Sequence, residues 1–196
     1  MIWRALSIFF ISLLAEGCAY DHEKPFYWTI GAVVPQHYDA WVEPLQLETS
    51  DIRTWRVPIG RVSCCWKEPW NTVGEDQTPP PNSVLVRWFS FPERKYYGRL
   101  VSLPANLEQR MRRTTPVVLG SGRIRHDPQR NIILGLAPGG QIVVWLMNQS
   151  RNAEEIMRVQ AVELAANAAD YDVWLTNYEA EHGDYMKQHG LQLDRW

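Results

Sequence analysis

The chain has 196 residues, with 20 Lys and Arg against 22 Asp and Glu, a formal charge of −2. Apolar residues make up 45% and charged residues 21%, the balance of an ordinary globular domain, and ten Trp, eight Tyr and five Phe are too many for a disordered chain. Near-neutral charge without a basic run excludes nucleic acid as the main partner, and the lack of repeats, heptads or apolar runs of about 18 residues excludes fibrous and polytopic membrane classes.

Met1–Arg4 carries one positive charge, and eight of the ten residues from Ala5 to Leu14 are apolar. Ten residues make about 15 Å of helix, roughly half of a hydrocarbon core, so this stretch reads as the h-region of a signal peptide over residues 1–17. Leu13-Leu14-Ala15-Glu16-Gly17-Cys18 resembles a bacterial lipobox, in which the peptide is removed before Cys18 and the cysteine is acylated. Ala15 and Gly17 also satisfy the small-x-small rule of ordinary secretion. Cysteine counting favours lipidation: of Cys18, Cys64 and Cys65, acylation removes one and leaves a neighbouring pair. That pair reads as two small apolar thiols, with a bridge between adjacent residues as the other reading. Residues 18–25 form a short tether to a single β-rich domain over 26–196. Ala19 after the lipidated cysteine resembles a sorting signal for the outer membrane, so the expected location is periplasmic and lipid-anchored.

Within the domain, Phe26–Val34 is β-branched and aromatic and predicts a strand ended by Pro35. Tyr38–Leu47 predicts an edge or irregular strand interrupted by Pro44, and Thr54–Val62 a weaker one. Ser63–Asn82, with its prolines, predicts a long loop. In Ser83–Phe91 the residues Val84, Val86 and Trp88 share one face while Leu85, Phe89 and Phe91 share the other. Both faces are apolar, which predicts a central strand covered on two sides. Tyr96–Leu103 returns after a turn, and Leu107 with Met111 predicts a short helix ending at Arg113. Asn131–Leu136 and Gln141–Met147 predict a hairpin around Ala137-Pro138-Gly139-Gly140, and Glu155–Leu164 one further strand. Tyr171, Trp174, Leu175 and Tyr178 recur at helical spacing, predicting a helix from Asp172 towards His189, with Asp170 or Asp172 as its cap. The sum is a mainly β fold, an antiparallel sandwich or strongly curved sheet with a short middle helix, and a helical tail from about residue 170.

Nothing in this pattern carries catalysis, a cofactor or a metal. Gly120-Ser121-Gly122 has the wrong spacing for a nucleophile elbow. His126-Asp127 stands without partners before Pro128 and reads as a turn. His182 and His189, seven apart, are too far from each other for one zinc ion and read as a solvated helix face. Gly135–Gly140 lacks the Lys-Ser/Thr ending of a phosphate loop. Trp28, Trp88 and Trp145 read as core. Trp66 and Trp70, with Glu75 and Asp76 in the same Pro-rich loop, are the candidate partner-binding residues, because exposed aromatics are enriched in binding hot spots. The other reading folds these tryptophans down as a lid over the sheet. Without a catalytic group, the chain reads either as a protein-binding module or as an envelope lipoprotein that carries a lipophilic ligand or serves a structural role.

A set of motifs adds a resemblance: Trp28-Thr-Ile-Gly31 with Pro35 and Tyr38, Val86-Arg-Trp-Phe-Ser90, Lys95-Tyr-Tyr-Gly-Arg99, Ile133-Leu-Gly-Leu-Ala-Pro-Gly-Gly140, Val143-Val-Trp-Leu146 and Val159-Gln-Ala161. Over residues 18–165 the chain resembles a family of bacterial lipoproteins of uncharacterised function, and the tail reads as an extension beyond it. Some members are similar to immunity proteins encoded beside phospholipase effectors of type VI secretion systems. The resemblance therefore implies a secreted phospholipase as protein partner, a membrane contact through the anchor, and inhibition by binding. The motifs lie on strands and a hairpin and so describe folding rather than the inhibitory surface.

Overall fold

A computed structural model describes residues 26–51, 53–69, 72–75 and 79–196; the predicted leader, Cys18 and the tether lie outside them. In chain order, β1 (Trp28–Val33), β2 (Ala40–Val42), β3 (Leu45–Glu48), β4 (Thr54–Val57), β5 (Gly60–Val62) and β6 (Thr72–Glu75) precede the long hairpin β7 (Ser83–Ser90) and β8 (Lys95–Ser102). Helix α1 (Leu107–Met111) leads into the hairpin β9 (Thr114–Val118) and β10 (Ile124–Pro128). β11 (Asn131–Ala137), β12 (Gln141–Met147), β13 (Glu154–Gln160), β14 (Val162–Leu164) and α2 (Asp172–His189) complete the described chain.

Two curled sheets face each other. The first has the order β13-β12-β11-β1-β6, the second runs from β14 through β8 and β7 to β2 and β5, and β9–β10 stands apart as its own ribbon. The sandwich is thus mainly antiparallel, as expected, with one exception. β1 and β11 pair in parallel, Thr29 opposite Asn131 through Val33 opposite Gly135. A parallel pair needs a long crossover, and here nearly the whole second sheet supplies it.

Pro44 interrupts the second strand as predicted, but β2 and β3 are not at an edge. Both pair with β7 on one side, and with β5 and β4 respectively on the other. Three expectations fail locally. Thr54–Val62 divides into β4 and β5, which pair with β3 and β2 respectively. The Ser63–Asn82 loop contains β6, whose Thr72 and Val73 pair with Gly31 and Ile30 of β1; the surrounding prolines mask this short β-branched signal. Glu155–Leu164 is not one strand. It divides at Ala161, so that β13 belongs to the first sheet and β14 pairs with β8 in the second. The Ala161 N–H donates to the Gly140 carbonyl at 2.8 Å, fixing that corner.

Burial follows the layers. Trp28, Ile30 and Ala32 of β1, Val84, Val86 and Trp88 of β7, and Ile132, Leu134, Ile142 and Val144 fill the space between the sheets. Outside the first sheet lie Val33, Ile133, Val143, Trp145 and Met147, covered by Trp66. Outside the second lie Phe89 and Phe91, covered by Leu175 and Tyr178 of α2. The two-sided apolar pattern of β7 is therefore explained by an inner partner sheet and an outer helix.

Candidate functional site

The structure sorts the predicted partner-binding residues. Trp70 and Asp76 lie outside the described residues, and Glu75 is placed only by its backbone, at the end of β6. Trp66 is placed, and it is half-buried rather than exposed. Its ring meets Trp145 edge-on with centroids 4.8 Å apart and Trp196 at 6.0 Å, and the Lys67 ammonium lies 5.6 Å over the Trp145 ring. Gly135 makes this packing possible, because a Cβ there would stand 2.4 Å from Trp145 and 2.8 Å from Trp66. The first glycine of the Gly135–Gly140 stretch is thus a notch for two indoles. Cys64 and Cys65, just before Trp66, are joined to each other by a disulfide across a cis peptide, which replaces the expected pair of free thiols.

A polar cluster that the sequence did not announce lies where α2 crosses the second sheet. Asp39, between β1 and β2, is fully buried. Its Oδ2 accepts from Arg61 Nη2 at 2.9 Å, and the same guanidinium donates to Glu181 Oε2 at 2.5 Å. Its Oδ1 has no hydrogen-bond partner among the described residues and faces His182 Nε2 at 3.5 Å. His182 Nδ1 meets His37 Nδ1 at 3.3 Å, and the His37 ring stacks on Tyr185 at 3.9 Å. His182 therefore faces the sheet, against the expectation of a solvated helix face. His189 is exposed, with its ring 4.5 Å from Tyr185.

Electrostatics in this cluster are set first by burial. Loss of water raises the Asp39 carboxyl above its ordinary value, and the Arg61 guanidinium works against that shift. Burial and the neighbouring His182 lower His37. Asp39, Glu181 and His182 bring three potential metal-ligand atoms within 4.8 Å of one another. Arg61 already supplies the cation between the two carboxylates, however, and a divalent ion would stand against a fixed guanidinium charge. The arrangement works as a charged clamp that seats α2.

The two most distinctive sequence motifs also meet. Glu93 Oε2 accepts the Ser90 hydroxyl at 2.8 Å, and its Oε1 accepts the Tyr97 hydroxyl and the Gly139 N–H, each at 2.9 Å. One carboxylate thus ties the Trp-Phe-Ser strand to the Pro-Gly-Gly turn of the other sheet. Gly140 at φ 77° cannot be replaced there, since a Cβ would stand 2.8 Å from the Tyr97 ring. Gly120-Ser121-Gly122 forms the tip between β9 and β10. His126 and Asp127 lie in β10 rather than in a turn, with Asp127 bound by Arg125. Neither Asp170 nor Asp172 caps α2. The N-cap position is Tyr171, and Asn167 caps the preceding 3₁₀ turn by accepting the Ala169 N–H at 3.2 Å.

Residues 16–194 match the profile of a family described as Protein of unknown function (DUF2931), and the chain belongs to that family. The match includes the helical tail, so α2 is part of the family's domain and not an extension. No curated protein matches the chain.

Proposed function

We propose that this family member is a lipid-anchored periplasmic protein, held at the outer membrane through Cys18, that acts as an immunity protein by binding and inhibiting a cognate phospholipase effector of type VI secretion. It acts without chemistry of its own. The observation that carries the choice of a binder over a lipid carrier is the filled space between the sheets. Trp28, Trp88, Ile30, Leu45, Leu47, Ile132 and Leu134 are fully buried there, where a carrier needs room for an acyl chain. The Asp39–Arg61 pair ties α2 to the second sheet and Glu93 ties the two sheets to each other, which suits a rigid scaffold presenting a surface. The lipobox and the resemblance to immunity proteins supply the anchor and the class of partner.

The test is copurification from envelope extracts with the product of the adjacent reading frame, together with survival of cells that make that product in the periplasm. A stable complex and protection are expected. Absence of both, or turnover of a lipid substrate by the purified protein alone, would overturn the reading.

A further inference from the structure

The near-zero charge of the whole chain conceals a local asymmetry. From Leu107 to Arg130 there are six arginines (110, 112, 113, 123, 125 and 130) and two acids, Glu108 and Asp127, a local charge of 6 − 2 = +4 in a chain of −2. That segment is α1 and the β9–β10 ribbon. Three of the arginines are paired: Arg110 with Glu154, Arg112 with Glu108 and Arg125 with Asp127. Arg113, Arg123 and Arg130 are exposed and make no ion pair among the described residues, and the same holds for Arg151 on the adjoining loop.

The ribbon is apolar as well as basic. Ile124 is opposite Val118 in the register, and they are 66% and 41% exposed, beside the Gly120-Ser121-Gly122 tip. It is also held firmly. Asn148 donates to Thr115 Oγ1 at 2.8 Å and to the Asp127 carbonyl at 2.9 Å. Gln149 exchanges two bonds with the Val118 backbone, at 3.0 and 2.8 Å, and Asn152 donates to the Pro116 carbonyl. Side chains of the β12–β13 connection thus fix the ribbon at one end of the sandwich.

The described chain begins at that same end. Phe26 lies under two guanidiniums, Arg112 at 4.7 Å and Arg130 at 5.3 Å, and the Thr29 N–H donates to the Arg130 carbonyl at 2.9 Å. Cys18 is eight residues earlier, so an anchored sulfur stands at most about 27 Å of extended chain from Phe26. The acyl chains therefore bring this end, and not the opposite one, to the bilayer. Exposed arginines at both ends of a ribbon with an apolar tip, Arg123 beside the tip and Arg113 and Arg130 at the base, are the composition of a surface that settles into anionic headgroups.

We infer that the α1 and β9–β10 end is a membrane-docking face that binds anionic phospholipid headgroups and orients the anchored domain. The inference rests on the lipid-anchor reading for its geometry, but its chemistry is testable without the anchor. The probe is the full chain carrying Cys18→Ser, floated with vesicles of about 30 mol% phosphatidylglycerol in phosphatidylcholine and with phosphatidylcholine alone, at about 50 and about 300 mM salt. Binding at least tenfold stronger to the anionic vesicles at low salt, and lost at high salt, is expected. Arg113→Gln/Arg123→Gln/Arg151→Gln should lower partitioning about fivefold per charge, on the order of a hundredfold together. The matching triple Lys variant should restore it, which separates charge from folding.

Equal binding to both vesicles, or an unchanged triple Gln variant, would overturn the proposal. So would a triple Gln variant that keeps vesicle binding but loses copurification with the adjacent-frame product, since the patch then serves a protein. Intact mass of the wild-type protein from membranes reads acylation separately: an unmodified Cys18 refutes the anchor while leaving the vesicle result to stand or fall by itself.

Discussion

The Tyr178 hydroxyl donates to the main-chain carbonyl of His37 at 2.9 Å, across 141 residues of sequence. His37 holds a left-handed backbone at φ 71° in the turn between β1 and β2. Tyr178 sits on the buried face of α2, with its ring 5.8 Å from Phe91. One residue of the helix thus reads both the apolar outer face of the second sheet and the shape of a turn on it. α2 is otherwise polar and largely exposed, so its position depends on a few such contacts rather than on a broad apolar stripe.

Tyr178→Phe keeps the ring and removes the bond, leaving the His37 carbonyl to find water at the helix edge. A loss of about 1 kcal/mol in denaturant unfolding is expected. Tyr178→Ala also empties the site between Phe91 and His182 and should cost about 3–4 kcal/mol. Proteolysis should then release the tail before the sheets unfold. An intact tail in the Ala variant under conditions that cleave unfolded chain would show that α2 is held elsewhere.

His37 gives the same junction a pH dependence. Burial and His182 lower its folded pKa below the ordinary 6.5, so the folded state binds this proton less readily than the unfolded state does. Its contribution to stability is complete above about pH 6.5 and is lost as pH falls through the lowered folded value. Asp39 acts in the opposite sense. Its raised carboxyl binds a proton more tightly in the folded state, and that contribution is lost as pH rises through its folded value. The measurement that separates them compares melting temperatures of wild type and His37→Asn, a residue that tolerates φ above zero. The wild-type advantage should shrink as pH falls from 7 to 5 (both chosen around the ordinary His value). A constant difference across that range would remove His37 from the account.

The Asp39–Arg61 pair should show the asymmetry of buried charge. Asp39→Ala leaves Arg61 half-buried with only Glu181, and Arg61→Ala leaves the fully buried Asp39 without its strongest donor. Each should cost about 3 kcal/mol, whereas Asp39→Leu/Arg61→Met, which removes both charges, should cost less than either. Additive losses in the double variant would mean that the two groups act independently.

How far the sequence showed this depends on the range of each interaction. Alternating apolar faces marked β7, turn residues marked β8 and the β11–β12 hairpin, and three-four spacing marked α2 at the bounds the structure shows, because those signals are local. The site was harder to read. Asp39, Arg61 and His182 are separated by 22 and 121 residues, and none stands in a pattern with its neighbours. Asp39 lies inside the predicted Tyr38–Leu47 strand, where nothing in its neighbours marks it as buried. Trp66 was legible as an anomaly, an indole among prolines, but its partner Trp145 was hidden in a strand where core packing explained it completely. Ile124 and the flanking arginines were invisible for another reason. A total charge near zero averages away a +4 segment, and only the fold shows that this segment forms one end.

Glu93 is the test of whether the paired motifs serve folding. Glu93→Ala removes three accepted hydrogen bonds at once and leaves the Tyr97 hydroxyl and the Gly139 N–H without their carboxylate. Bonds to a charged acceptor contribute more than neutral ones, and about 2–3 kcal/mol should be lost, with Glu93→Gln intermediate. Gly140→Ala should do at least as much damage, through the Tyr97 clash and the left-handed backbone. Variants that unfold like wild type would detach these motifs from stability and return them to function.

Trp66 separates the packing role that the structure shows from the binding role proposed for its loop. Trp66→Ala uncovers Trp145 and the notch at Gly135, so stability should fall by about 2–3 kcal/mol whatever the loop binds. Glu68→Ala alters an outward group of the loop while keeping that indole and should leave the melting temperature nearly unchanged, whereas Lys67→Ala also removes the ammonium over Trp145 and should cost about 0.5–1 kcal/mol. If the effector docks here, Glu68→Ala should weaken the complex by at least about 1 kcal/mol, and Trp66→Ala by about 2 kcal/mol when measured well below its melting temperature. Isothermal titration with the adjacent-frame product reads both. Losses under about 0.5 kcal/mol in all three variants would leave Trp66 as a lid over Trp145 and move the inhibitory surface to another face of the sandwich.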